Sequence, residues 1–248
     1  MSTSNCNIIH LSKVSSTNNY AKELISREQP SEGTIITASH QSAGKGHDNN
    51  SWESEAGENL LMSLILYPHF LDITRQFNLS MAVALGITDF LKELIPEQQI
   101  YIKWPNDIYV ADKKIGGILI NNEIMGDHFE HVIVGIGLNV NQKVFSNNLP
   151  NPVSLNNLTG THYSLEDVTS KLSKDVMARY GQLRQGSIEL IKSEYHSSLL
   201  GISEWRRFIY KGKEIKGMIR DVNEFGHLIV ETSAGEIECE MKELVFPF

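Results

Sequence analysis

Apolar and polar positions alternate along the chain in two periods, and the changes between them mark the elements. After the polar cluster Ser15, Ser16, Thr17, Asn18 and Asn19, the residues Tyr20, Ala21, Leu24 and Ile25 recur at the spacing of one helix face. That pattern predicts a helix whose caps are Ser16 and Thr17. Residues 34–39 are short and β-branched, residues 60–66 are a largely apolar run, and both predict buried strands. Between them, residues 41–59 are polar and carry glycines. A loop of that length inside a compact domain is commonly functional. From 78 to 94, Met81, Ala82, Leu85, Phe90, Leu91 and Leu94 keep a helical spacing that Pro96 ends.

Ile100, Ile102 and Trp104 then alternate with polar neighbours as far as Pro105. Residues 107–110 and 114–120 flank the polar turn Ala111-Asp112-Lys113, predicting a hairpin. Residues 131–137 predict a further buried strand running into Gly135-Ile136-Gly137-Leu138-Asn139. The asparagine- and proline-bearing residues 147–157 read as a surface connection, followed by helical stretches at 165–183 and 187–199. Beyond Arg206, short strands are broken by Gly212, Gly217, Gly226 and Gly235, each with a turn-forming neighbour. The expected division is a domain of residues 1–205 and a small all-β module of residues 206–248, the latter too short to stand well alone.

Composition narrows the class. The 248 residues include 41% apolar and 21% charged side chains, as in an ordinary globular protein. Twenty-two basic against thirty acidic residues leave a net charge of -8 with no concentrated basic run, which disfavours DNA as a partner. Fewer than twenty residues precede the first helix, too few for a helix-turn-helix. Cys6 and Cys239 form no Cys-x-x-Cys pair, and the nine histidines include no helical pair at metal-ligand spacing, so no resident metal site is expected. Neither a leader pattern nor an apolar run of about 20 residues is present, and a cytoplasmic protein without membrane contact is expected.

Three segments carry candidate chemistry. Ala43-Gly44-Lys45-Gly46 could cradle an anion, yet the Walker pattern fails because Ser39 and Gly46 stand at its first glycine and its hydroxyl position. Gly135-Ile136-Gly137 fails the dinucleotide fingerprint, since Val140 occupies the third glycine position. Lys103 lies on an otherwise apolar run and calls for an anionic neighbour, either Asp107 within the protein or a ligand.

Taken in order, Ser16-Thr17-Asn18, Gln41-x-Ala43-Gly44-Lys45-Gly46 with Trp52 after it, Lys103-Trp104-Pro105-Asn106-Asp107, Lys114-x-Gly116-Gly117-Ile118-Leu119 and Gly135-Ile136-Gly137-Leu138-Asn139 resemble the biotin protein ligases over nearly the whole chain. The resemblance implies an α+β catalytic domain, a mixed β-sheet with flanking helices of the class II aminoacyl-tRNA synthetase type. It also implies a C-terminal Src-homology-3-like β-barrel. The implied reaction couples biotin to ATP, with Mg2+, and transfers biotin from biotinyl-AMP to a lysine of a biotin carboxyl carrier domain. Lys103 would be catalytic. Biotin would be held by Ser16, Thr17, Asn18, Gln41, Gly44, Lys45, Gly46, His47, Lys103 and Gly117, and ATP by Lys45, His47, Trp52, Asn106 and Asn139. A monomer or weak homodimer is expected.

Two departures from the family pattern stand out. In Gly44-Lys45-Gly46-His47-Asp48-Asn49, Asp48 replaces a basic residue and Asn49 a glycine, while Asn121 replaces the usual glutamate after the Gly-Ile-Leu-Ile strand. The rival readings are a lipoate or octanoate ligase or transferase of the same fold, an inactive biotin-binding module, and a DNA-binding regulator.

Overall fold

The computed structural model describes residues 7–46, 51–147, 149 and 151–247. A seven-stranded sheet is formed by β1 (Ile8–Leu11), β2 (Ile35–Ala38), β3 (Leu60–Leu66), β4 (Ile100–Lys103), β5 (Asp107–Val110), β6 (Lys113–Met125) and β7 (His128–Leu138). Its spatial order is β1-β2-β3-β7-β6-β5-β4. Only β1 and β2 run parallel; the other neighbouring pairs are antiparallel.

Alternation divides this sheet into two faces. Leu60, Met62 and Leu64 of β3 join Val132, Val134 and Ile136 of β7 in the main core. Three helices cover that face: α2 (Phe77–Leu94), α4 (Leu165–Arg184) and α5 (Ile188–Ser197). The glycine at 86 lets α2 and α4 touch, because a Cβ there would lie 2.6 Å from the Val176 backbone. Arg179 of α4 ties the layer together by ion pairs to Asp89 and Glu194. On the opposite face, α1 (Thr17–Glu28) packs Ala21 and Leu24 on Ile36, Ile65 and Ile133. Beside α1 that face is left uncovered by any helix, and there the sheet floors a cavity.

The second sheet contains β8 (Trp205–Tyr210), β9 (Lys213–Val222), β10 (Leu228–Thr232), β11 (Gly235–Cys239) and β12 (Leu244–Val245), in the order β11-β10-β9-β8-β12, all antiparallel. It leans on the first sheet. The Trp104 indole donates to the Gly226 carbonyl at 2.9 Å, and a Cβ at 226 would strike the Phe77 ring at 2.5 Å.

Several expectations change. Ser16 occupies the N-cap position of α1 but its side chain makes no capping bond; the Thr17 N–H donates instead to Gln41 Oε1 at 2.7 Å. Gly217 is not at a turn: it lies within β9, where a Cβ would meet Val230 at 2.6 Å. The connection at 147–157 conceals α3 (Leu155–Thr159), which opens with a capping box between Ser154 and Asn157.

Candidate active site

Strand register assembles the floor of the site. Leu61 of β3 pairs with Gly137 of β7, Gly137 with Gly117 of β6, Gly117 with Asp107 of β5, and Asp107 with Lys103 of β4. One row across five strands therefore reads apolar, glycine, glycine, carboxylate, ammonium. The two glycines leave a shallow trough, and the Trp52 side chain lies in it: a Cβ at 137 would come within 2.6 Å of the indole ring. The next row pairs Ser63 with Gly135 and Gly135 with Leu119. Here the missing side chain makes room for Asn18, whose Oδ1 would otherwise be 2.6 Å from a Cβ.

The cavity above this floor has a volume of about 440 Å3, within the usual range for a small-molecule site. Ser16, Thr17, Asn18, Gln41, Lys45, Gly46, Trp52, Lys103, Asn106 and Gly117 all line it, so the structure gathers most of the residues singled out in the sequence. Gly44 lies just behind the wall, where its lack of a side chain admits the Trp52 backbone; a Cβ would sit 2.7 Å from the Trp52 carbonyl oxygen. Asn139 is buried and donates to the Val153 carbonyl at 3.1 Å, away from the described wall. Asn106 touches the cavity but donates its amide to the Ile118 carbonyl at 2.7 Å, fixing the turn before β5. His47, with Asp48 and Asn49, lies outside the described residues.

At one end, the Gln41 side-chain oxygen accepts both the Thr17 N–H at 2.7 Å and the Thr17 hydroxyl at 3.1 Å. Thr17 and Asn18 both contact the fully buried Ser63 hydroxyl. Sequence reading passed over Ser63, although a lone hydroxyl inside the apolar run 60–66 was its visible signal. Base contacts of the long loop join its start to the residues before α1: Ala43 N–H donates to Ser15 O, and Trp52 N–H to Gly44 O.

The other end is cationic. Lys103 and Lys114 share Asp107, at 3.7 and 2.6 Å. Asp107 is thus an anionic neighbour of Lys103, which also borders the cavity. Burial lowers its pKa from the ordinary lysine value, the Asp107 carboxylate partly restores it, and the neighbouring Lys114 ammonium lowers it further. Its Nζ also lies 5.7 Å from the Tyr109 ring centroid and 5.2 Å from that of Phe246. Phe246, with Met241, Lys242, Leu244 and Val245, brings the second sheet to the wall, a contribution with no motif to announce it. Four lysines (45, 103, 114 and 242) face one carboxylate among the described wall residues. A chain of net charge -8 thus presents a locally positive cavity.

Residues 11–139 match the model of the biotin/lipoate A/B protein ligase family. The chain belongs to that family. Among family members, it is 34% identical over 236 residues to the bifunctional ligase/repressor BirA of Bacillus spizizenii, covering 92% of this chain and 70% of the relative. It is 27% identical to the biotin--[acetyl-CoA-carboxylase] ligase of Mycobacterium tuberculosis, with 86% and 79% covered. A solved structure of the biotin protein ligase from Aquifex aeolicus in complex with biotin and ATP superposes with a TM-score of 0.79 at 28% identity, covering 96% of this chain and 97% of that one. The mixed α/β architecture with two sheets is thus that of the ligase family. No helix among the described residues is long and apolar enough to cross a membrane.

Proposed function

We propose that this chain is a biotin protein ligase: it activates biotin with ATP to biotinyl-AMP and transfers the biotinyl group to a lysine of a biotin carboxyl carrier domain. The observation that carries this reading is the polarity of the cavity, with paired amide and hydroxyl groups at one end and lysines at the other. Biotin has a polar ureido head and an anionic tail, and ATP adds further negative charge.

In the first step a biotin carboxylate oxygen attacks the α-phosphorus of ATP, the bond to the β-phosphate oxygen breaks, and pyrophosphate leaves. Lys103 would lie against the carboxylate and the α-phosphate, where its charge offsets their repulsion and stabilises charge developing on the transferring phosphorus. Asp107, itself paired with Lys114, holds the Lys103 ammonium in place from the floor. Trp52 would offer an aromatic face to adenine; its ring nitrogen is buried without a hydrogen-bond partner. In the second step the carrier lysine, as the free amine, attacks the acyl carbon; the bond to AMP breaks, the amine loses a proton, and an amide forms.

Mg2+ would accompany the triphosphate. Among the described residues no cluster of acidic, histidine or cysteine side chains forms a cage for an ion, and the one wall carboxylate, Asp107, is held by Lys114. The residues present therefore supply no ligand set of their own, and the steps above rest on the protein's side chains. We infer also that residues 1–205 form a catalytic domain of the class II synthetase type and residues 206–248 a Src-homology-3-like barrel. The support is the run of five antiparallel strands that starts at Trp205, in the order β11-β10-β9-β8-β12.

Biotin-dependent exchange of labelled pyrophosphate into ATP tests the first step without a carrier. Exchange with biotin and none with lipoate or octanoate is the expected result; exchange with lipoate alone would assign the chain to the other branch of the family.

A further inference from the structure

The acceptors beneath the polar end of the cavity constrain where the hydroxyl and amide protons can lie. The Leu119 carbonyl can only accept, so the Asn18 amide nitrogen must face it, at 3.2 Å, and this nitrogen also donates to Asn121 Oδ1 at 2.7 Å. Asn18 Oδ1 therefore faces Ser63, whose hydroxyl lies 2.5 Å away. An amide oxygen cannot donate, so the single Ser63 proton belongs to that bond. Ser63 Oγ is then an acceptor for its other neighbour, Thr17 Oγ1, at 2.8 Å. The Thr17 proton goes either to Ser63 or to Gln41 Oε1 at 3.1 Å, and in both cases it stays inside the protein. Toward the cavity Thr17 presents lone pairs alone.

Gln41 is fixed in the same way. The Thr17 N–H can only donate, so Gln41 turns its oxygen to it and its NH2 away, toward Gly44. The polar end of the cavity thus offers the Thr17 acceptor beside the Ser16 hydroxyl, which can donate. A ligand complementary to that pair carries an N–H next to a carbonyl, as a cyclic urea or amide does. A saturated hydrocarbon chain or a dithiolane carries neither.

We propose that Ser63, on β3 and below the cavity wall, is a specificity-determining positioning residue: by holding Asn18 and receiving Thr17 it makes Thr17 an acceptor and selects a ureido ring over an aliphatic acyl group. Asn121, which stands where the family has glutamate, completes the arrangement from β6. This inference rests on the biotin reading and names the buried group that would enforce it. Sites built to pair a polar ligand group discriminate strongly against analogues that lack it, because their own groups are then left unpaired.

The test compares wild type, Ser63→Ala and Ser63→Cys by titration calorimetry with biotin, desthiobiotin and octanoate, with thermal denaturation as the check of folding. Cysteine leaves no cavity and weakens the donor, so it serves if alanine does not fold. Binding of biotin and of desthiobiotin, which keeps the ureido ring, should weaken about tenfold in the variants, the scale of one lost buried hydrogen bond. Octanoate binding should stay the same or tighten, so the ratio of the ligands moves. An equal loss for all three ligands, or unchanged biotin binding in a folded variant, would overturn the role of Ser63. A wild-type protein that binds octanoate and not biotin would instead overturn the biotin reading itself.

Discussion

Lys103 serves the ligand at the expense of the fold. Its pKa is lowered chiefly by burial, so the folded protein holds this proton less tightly than the unfolded chain does. At pH below both values the charged, buried group costs stability, and the cost fades as pH rises through the folded value toward the unfolded one. Lys103→Met should therefore melt at a higher temperature than wild type at neutral pH without ligand, because Asp107 keeps Lys114 at 2.6 Å, while losing pyrophosphate exchange. Lys103→Arg should keep the fold and lower exchange by roughly 10²-fold to 10³-fold, since arginine retains charge but not the compact shape of the ammonium. A bound anion raises the lysine pKa again. Calorimetry of biotinyl-AMP binding in buffers of different ionisation enthalpy should accordingly show proton uptake at alkaline pH, and none at pH 6. A Lys103→Met protein that shows the same uptake would assign the proton elsewhere. From the sequence, Lys103 was recognisable as a charge on an apolar run, and its partner Asp107 followed from spacing. Ser63 was not, because the groups that give its hydroxyl a role lie on α1 and become neighbours only through the sheet.

Among the elements, β7 carries the clearest sequence signal and the least obvious reason for it. Gly135 and Gly137 fail as a dinucleotide fingerprint; they are floor positions, one under Asn18 and one under Trp52. Gly137→Ala should leave the strand paired but lift Trp52 from the floor, raising the KM for ATP about tenfold or more and shifting tryptophan emission. Gly181→Ala is the control. It lies within α4, a Cβ there would meet nothing within 4 Å, and the change should add up to ~1 kcal/mol of stability without altering either KM. If both substitutions changed KM equally, the floor argument would fail. Long elements with strong periodicity, such as α2 and β3, were legible almost to the residue. The β6–β7 hairpin reaches further than the expected 114–120 and 131–137, because its outer part, from Asn121 to Asp127, faces solvent, with even Ile124 and Met125 exposed, and carries no alternation toward the core. β1 escaped because it is a four-residue edge strand, Ile8-Ile9-His10-Leu11, too short and too apolar to show alternation in the sequence. α3 was hidden by asparagines that suggest turns, although Ser154 and Asn157 use the same polar groups to start a helix.

At the scale of the whole molecule, the site belongs to both sheets. Residues 241–246 of the second sheet close the lysine end of the cavity, and Phe246 faces Lys103 across 5.2 Å. The resemblance of ordered motifs carried the family and the floor of the site, yet it did not reveal this closing wall, because a short apolar run near a chain end looks like any small-barrel core. The central claim is that this combined cavity passes biotin to a protein lysine. Its most direct measurement is intact-mass analysis of a biotin carboxyl carrier domain after incubation with the protein, ATP, Mg2+ and an equimolar mixture of biotin and lipoate. The account predicts a single added biotinyl group on one lysine, absent when ATP is withheld; a lipoyl group in its place, or no added mass with either acid, would contradict it.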